Sequence, residues 1–327
     1  MSLPLQLSVI VPVYNEENNI IPFLQRIEFV LRNKGLSYEI IFCLDPPSDN
    51  SEQVIRKQIE HNSNIKLLLF SRKFGQPAAT MAGILYCRGA TCVVIDVDLQ
   101  DPPEVIETLY NKLQEGYDVV YATRGSRRGE TKIKKLISYI GYKLINKLSE
   151  VEIPANTGDF RIMTRRIIEE LRGLNEAHGF LRGLVAYIGF RQTFITYERE
   201  SRFSGRGNYN RFTGSIKIGL NGLISFSSRP LQWMSFIGAF MAVLSFLLGA
   251  WYVFQKLFHV DLTPGLSTTI LVITFFSGIQ LLSLGLMGEY ISRIYDQVKN
   301  RPLYIIDKII ENNKLINSER LLEKTNS

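Results

Sequence analysis

The stretch "VVIDVDLQDPPE", residues 93–104, is an apolar run that closes on acids. Val93 to Ile95 are β-branched and read as strand. Asp96, Asp98 and Asp101 then follow, with the carboxamide of Gln100 between the last two and the prolines 102 and 103 ending the run. A buried strand that closes on this much negative charge needs counter-charge, either from basic side chains elsewhere or from a bound cation.

Outward from this stretch, the first 200 residues alternate between two patterns. "LSVIVPV", "YEIIFCL", "IKLLLFS", "TCVVIDV" and "YDVVYAT" are strand-length runs rich in Val, Ile and aromatic residues. Between them, segments such as 17–34 and 102–115 carry apolar residues at helical spacing. The alternation predicts an α/β fold, a mostly parallel sheet covered by helices, with central strands apolar on both faces. Such sheets bind ligands outside the carboxyl ends of their strands. "PVYNEE", "LDPPSDN" and "DVDLQDPPE" stand at three predicted strand ends, so they are expected to meet on one edge.

On a strand, Asp96 and Asp98 point to the same side, because side chains repeat every two residues. Two carboxylates held close require a proton or a cation. A hard divalent ion, Mg²⁺ or Mn²⁺, suits oxygen ligands such as Asp98 and Gln100 and leaves room for substrate phosphates. A lone D-x-D is a weak motif; its weight comes from the other two strand ends beside it.

The remainder of the chain has a different composition. Residues 230–255 contain no Asp, Glu, Lys or Arg, and neither do residues 262–288. A membrane-spanning helix needs about 20 mostly apolar residues, so both runs qualify. Arg229 precedes the first run, and Arg293, Lys299 and Arg301 follow the second, whereas the "VDLTPG" turn between them is nearly uncharged. The basic flanks predict that both outer ends face the cytoplasm. Trp233 and Trp251 suit the two interfaces. Residues 212–226 are apolar at roughly helical spacing, which fits a segment in the membrane surface plane or one packed on the soluble domain. The tail beyond Arg301 becomes polar and charged, and is expected to fray.

The 327 residues carry 46% apolar and 21% charged side chains, with a net charge of +7. That balance points to anionic partners such as phosphates or lipid headgroups. Nucleic acid is disfavoured, because the basic residues show no interleaved aromatic pattern. Cys43, Cys87 and Cys92 have neither ligand nor disulfide spacing and fit core positions in a reducing compartment. "LSVIVPVY" is short and runs into "NEE", so it reads as a strand and not a signal peptide.

"VIVPVYNEENNI", "SRKFGQPAATMAGI", "DVDLQDPPE", "ATRGSRRGETKIKK" and "NTGDFRIM" resemble segments of the polyprenyl-phosphate glycosyltransferases. That family includes dolichol-phosphate mannose synthases and, closer to this pattern, bactoprenol glucosyltransferases with a two-helix membrane anchor. The resemblance runs from about residue 7 to 305. It implies a GT-A nucleotide-sugar-binding fold, Rossmann-like, over residues 1–210. An interfacial segment (211–229), a transmembrane helical hairpin (230–290) and a cytoplasmic tail (291–327) would follow. It further implies a family 2 inverting glycosyltransferase in the cytoplasmic membrane. Its donor would be a nucleotide sugar, preferably a UDP-sugar, its cofactor Mg²⁺ or Mn²⁺, and its acceptor a polyprenyl phosphate.

Carried over position by position, the resemblance assigns Pro12, Tyr14, Glu16 and Asp45 to the base and ribose pocket. Asp96 would contact the nucleotide, and Asp98 with Gln100 would hold the metal on the donor diphosphate. Asp159 in "NTGDFR" would lie at the sugar, as base or as electrostatic stabiliser. Arg124, Lys134 and Ser138 match acceptor-phosphate positions. Arg202 and Arg206 lie in "RFSGRGNY", similar to the family's diphosphate loop. Each has a plainer reading: strand-end packing for Pro12 and Tyr14, a helix-terminal acid for Glu16, and a solvated or lipid-binding basic face for the run after Arg124.

Two departures from the family pattern stand out. "CLDPPSD" replaces a D-D-G-S turn, with Leu44 in place of the first acid, and Asn208 stands where a lysine is usual. The first leaves room for a membrane-anchored nucleotide-sugar binder without turnover, against which Asp96, Asp98, Gln100 and Asp159 all speak. A glycan-extending transferase is a further alternative, although only two spans are visible. A homo-oligomer is compatible with the sequence.

Overall fold

The computed structural model describes residues 5–125, 157–174, 176, 181–200, 203, 224, 227–258 and 265–317. Lys134, Ser138, Arg202, Arg206, Asn208 and most of the 212–226 segment lie outside the described residues.

Each of the five apolar runs forms a strand: β1 (Leu7–Val13), β2 (Tyr38–Leu44), β3 (Ile65–Phe70), β4 (Thr91–Val94) and β5 (Val119–Arg124). Four further strands complete the sheet, β6 (Thr157–Thr164), β7 (Gln192–Tyr197), β8 (Ile306–Glu311) and β9 (Lys314–Asn317). Their order is β7-β5-β6-β4-β1-β2-β3-β8-β9. The central strands β4, β1, β2 and β3 are parallel, whereas β6 runs antiparallel to both β4 and β5, and β8 antiparallel to β3. The sheet is therefore a parallel core with mixed flanks, and β5, parallel to its neighbour β7, runs in the same direction as that core.

Six helices cover the two faces: α1 (Glu17–Asn33), α2 (Ser51–His61), α3 (Gln76–Tyr86), α4 (Val105–Gln114), α5 (Arg165–Gly173) and α6 (Leu181–Ile188). Alternation along β1 and β2 sorts the core. Val9, Val11, Ile40 and Phe42 pack with Phe23 of α1, Ile55 of α2 and Leu109 of α4. Ile10, Ile41 and Cys43 pack with Ala82 of α3, Ile168 of α5 and Leu184 of α6. Helix α3 lies so close to the sheet that a Cβ on Gly83 would stand 2.3 Å from Ile10 Cγ2 and 2.6 Å from Cys43 Sγ. All three cysteines are free and buried.

The tail contradicts the expectation of fraying up to residue 317. Strand β8 pairs with β3 and buries Ile309 and Ile310. The buried Lys66 ammonium sits between Glu39 (2.7 Å) and Glu311 (2.8 Å), and Ser8 donates to Glu39 at 2.5 Å. Lys66 and Glu311 are remote in sequence, so the tail's polarity hides a partner that only the folded sheet provides.

Two long helices lie outside this domain, α7 (Arg229–Leu257) and α8 (Leu266–Val298). Both are long and apolar enough to cross a membrane, and none of the residues in their apolar windows is buried. Phe236, Phe240, Phe246 and Leu281 are among the large side chains left facing outward, an apolar surface that water would penalise and lipid would not. The two helices touch as a hairpin: Tyr290 donates to the Ser227 carbonyl at 2.7 Å, and Ser283 meets Met234 Sδ at 3.4 Å. Helix α8 continues to Val298, beyond the apolar run that ends at Gly288.

Candidate active site

The loops after β1, β2, β3 and β4 form one connected edge, as the three polar strand ends predict. Asn15, in the left-handed region at φ 54°, turns the chain out of β1. Its side chain both donates to Ser48 Oγ (2.9 Å) and accepts from the Ser48 N–H (2.8 Å). The Glu16 N–H donates to Ser51 Oγ (3.0 Å) and the Glu17 N–H to Asp49 (3.1 Å). From the end of β2, buried Asp45 accepts the N–H groups of Phe74 and Gly75, both at 2.9 Å. Gln76 then donates to Asp96 at 2.8 Å.

The base-pocket candidates occupy this edge unequally. Pro12 is buried within β1, opposite Cys43. It faces the same side as Ile10, whose carbonyl accepts the Ile95 N–H. The β4 ladder has ended by that point, so the missing proline N–H costs no strand hydrogen bond. Tyr14 is half-buried, with the Lys73 ammonium 3.4 Å from its ring centre. Glu16 caps the start of α1, and its carboxylate accepts from the Asn19 side chain. Asp45 spends both oxygens on the 74–75 backbone, so its evident effect is to fix that loop.

The acids meet, but not by strand alternation. β4 ends at Val94, and a turn carries Val97 and Asp98, with Leu99 at φ 59°. Asp98 is buried and accepts the Gln100 N–H at 3.1 Å, a local Asx-type bond that shapes the turn. Burial pushes the Asp96 carboxyl up to about 8, with the charges of Asp101, Asp98 and Asp159 adding to the effect. The segment following β7 crosses this turn: Glu200 N–H donates to the Gln100 carbonyl (3.0 Å) and Phe203 N–H to the Asp98 carbonyl (3.5 Å). Arg202 falls between these two described neighbours in sequence.

Asp159 lies on β6, although Pro154, Asn156 and Gly158 make the surrounding sequence loop-like. The ladder with β4 ends where Val94 pairs with Arg161, and Asp159 stands two residues beyond it, close enough for its charge to act on Asp96. Arg182 of α6 donates to Asp159 Oδ1 at 3.0 Å, and Arg161 approaches the same oxygen at 3.4 Å. Burial alone would raise the Asp159 carboxyl, but Arg182 and Arg161 outweigh it and hold the group below its usual range. Arg161 itself is wholly buried, bonded to the carbonyls of Gly158 (3.1 Å) and Asp159 (3.2 Å) and stacked 5.3 Å from the Tyr121 ring centre.

Arg124, at the end of β5, joins the same cluster. Its guanidinium is 3.7 Å from Asp101 and lies against Gly158, where a Cβ would come within 3.1 Å of Nη2. Glycine at 158 thus lets the arginine lie beside Asp159. Asp101, which sequence reading left without a role, is a hub: Tyr197 donates its hydroxyl to it and Arg199 donates at 3.2 Å. Arg182, Arg199 and Tyr197 were also absent from the sequence-based set, and no local motif marks them.

Among the described residues, no three His, Cys, Asp or Glu side chains converge on one metal position. Magnesium-type ions are commonly held by one or two carboxylates plus substrate phosphates. Asp98 and Gln100 on one turn offer such a sparse oxygen set, beside the carboxylates of Asp96 and Asp101. The residues present therefore fit a hard divalent cation.

Residues 8–172 match the model of glycosyl transferase family 2, and residues 229–294 match the GtrB C-terminal hairpin. Over 323 residues the chain is 41% identical to the glycosyltransferase YkcC of Bacillus subtilis (strain 168), covering 98% of this chain and all of that protein. Over 304 residues it is 37% identical to the SfII prophage-derived bactoprenol glucosyl transferase of Shigella flexneri, covering 93% of this chain and 98% of the relative. Among solved structures it is similar to the mannosyltransferase PcManGT from Pyrobaculum calidifontis in complex with GDP-Man and Mn²⁺. That pair has a TM-score of 0.48 and 15% identity, over 91% of this chain and 88% of the other.

Proposed function

The chain belongs to glycosyl transferase family 2, and from that premise we propose that it moves a hexose from a UDP-sugar to a membrane polyprenyl phosphate. The observation that carries the reading is an acid and arginine cluster at the sheet edge, built on the same chain as an apolar hairpin. The bactoprenol glucosyl transferase relative matches across both parts, which supports the acceptor class.

In this reading the acceptor phosphate oxygen attacks the anomeric carbon from the face opposite the donor diphosphate. The bond to the diphosphate breaks, its electrons leave with the nucleotide, and the configuration inverts. Asp98 and Gln100 would hold Mg²⁺ or Mn²⁺, which when bound would supply Lewis-acid neutralisation of the leaving diphosphate. Tyr14 and Lys73 wall the base, with Glu16 and Pro12 behind them, and Asp45 acts through the 74–75 loop it fixes. Asp96 borders the nucleotide. Arg202 and Arg206 clamp the diphosphate, while Arg124, Lys134 and Ser138 receive the lipid phosphate. That phosphate is already an anion, so Asp159 serves as a fixed negative charge beside the electron-poor sugar. The membrane confines donor site and lipid acceptor to one surface, raising the effective concentration of the acceptor.

The test is transfer itself. The full chain, reconstituted in vesicles containing polyprenyl phosphate, is expected to place radiolabel from a UDP-hexose into the lipid extract only when a divalent ion is present. Donor binding with no lipid-linked label from any nucleotide sugar in a panel would instead favour a binding protein without turnover.

Orientation is a separate expectation. The basic flanks support a catalytic domain and C-terminal residues in the cytoplasm, with the turn near Thr263 outside. Single cysteines at Thr263 and in the tail should label oppositely with an impermeant reagent on intact cells. A tail labelled from outside would overturn this topology.

A further inference from the structure

Two arginines converge on one oxygen of Asp159. Arg182 Nε and Arg161 Nη2 both reach Oδ1, at 3.0 and 3.4 Å. Among the described residues no hydrogen bond reaches Oδ2, although the side chain is only 31% exposed. The two arginines differ in freedom. Arg161 is locked by two backbone carbonyls and the Tyr121 ring. Arg182 comes from another element, α6, and its only described ion pair is Asp159.

We propose that Arg182 is the positioning residue for Asp159. It ties down Oδ1 from α6 so that Oδ2 stays ionised and aimed at the sugar-bearing side of the acid cluster. The proposal rests on the glycosyl-transfer reading above and adds to it a residue that no sequence motif marks. Geometry requires this division of labour. Arg161 alone approaches Oδ1 at a longer distance and from only two residues along the same strand, so it does not by itself fix the carboxylate against rotation about its bond to Cβ. A second donor from a separate element can.

Asp159 is faced by Arg161 on its own strand, Arg182 from α6, Arg124 from β5 and Asp96 beyond β4. Removing Arg182 takes away the foremost of the cations opposing burial. The Asp159 carboxyl would then rise. A depressed carboxyl keeps its active, charged form as pH falls until its folded value is reached, so a higher value brings the loss of activity at higher pH.

The test compares the full chain in vesicles with Arg182→Ala and Arg182→Lys. In Arg182→Ala, kcat should fall about 10²-fold, the scale of a reacting group misplaced by an ångström, with donor KM little changed. The acid limb of the pH profile should move to higher pH. Arg182→Lys should recover most of both. A second readout does not need turnover: the infrared band of protonated Asp159, identified by its loss in Asp159→Asn, should appear at higher pH in Arg182→Ala. If unaltered protein makes no lipid-linked sugar, the transfer reading fails while the infrared shift still decides the coupling. An unmoved band, or an unmoved acid limb in an active enzyme, overturns the proposal. So does a loss of activity that tracks a lowered Tm and is not repaired by lysine.

Discussion

Asp98→Asn is expected to cost about 10³-fold in sugar transfer, the upper range for removing one preorganised electrostatic group from an active site. The substitution is sharp because it changes charge without changing shape. The Asp98 Oδ1 that accepts the Gln100 N–H at 3.1 Å has a counterpart in the asparagine carbonyl, so the turn keeps its local bond. The residue is also buried, so a neutral amide is no burden to the fold. On the proposed reading, what is lost is an anionic ligand for a hard cation, since an amide oxygen is a weaker ligand than a carboxylate. The variant should unfold at the same temperature as the unaltered chain and yet fail to gain activity across a titration of Mg²⁺ or Mn²⁺. Turnover by the unaltered chain after exhaustive chelation would show that the acids have another purpose.

Where sequence alone sufficed, local pattern and tertiary environment agreed. The Val- and Ile-rich runs of β1 to β5 sit where both sheet faces are covered, so an unbroken apolar run and a buried strand coincide. The meeting of the strand-end loops followed from parallel topology and needed no side-chain detail. β6 was missed for the opposite reason. Its central Arg161 looks like a loop residue, yet it is completely buried because two carbonyls and an aromatic ring receive it. β8 hides in the same way, since Glu311 is matched by Lys66 across the sheet. Both misreadings place a charge on a buried strand, where only a partner distant in sequence makes it tolerable.

The acid cluster shows the same limit at finer scale. Asp96 and Asp98 are neighbours in space as expected, but through a turn after Val94 and not through strand alternation. Asp101 was in plain view in the opening stretch. Its importance comes from Arg124, Tyr197 and Arg199, which arrive from other elements. A motif can mark where charge concentrates; which oxygen faces substrate is set by donors that the motif does not contain.

Asp159→Asn is the change that separates proton transfer from fixed charge. An asparagine there would turn its carbonyl towards Arg182 and Arg161, because those two donors need an acceptor. Its NH₂ then replaces Oδ2, presenting a donor and no negative charge where, on the proposed reading, the sugar becomes electron-poor. The chemical step should fall by about 10²–10³-fold, measured by single-turnover transfer with donor bound in advance. Donor affinity should hold, since among the described residues none of the hydrogen bonds joining the loops after β1, β2 and β3 involves Asp159. The decisive variable is pH. In the unaltered chain the arginines keep Asp159 ionised below its usual range, so its contribution is complete at neutral pH and fades only as pH drops through that low value. A group so depressed is a weak base, and the lipid phosphate needs little deprotonation. Raising the pH of the asparagine variant from about 6 to 9 converts the acceptor to its dianion, a change that replaces a missing base but not a missing charge. The rate deficit is therefore expected to persist across that range. Recovery at high pH would make Asp159 the base after all, and an asparagine variant with unaltered turnover would remove it from the reaction.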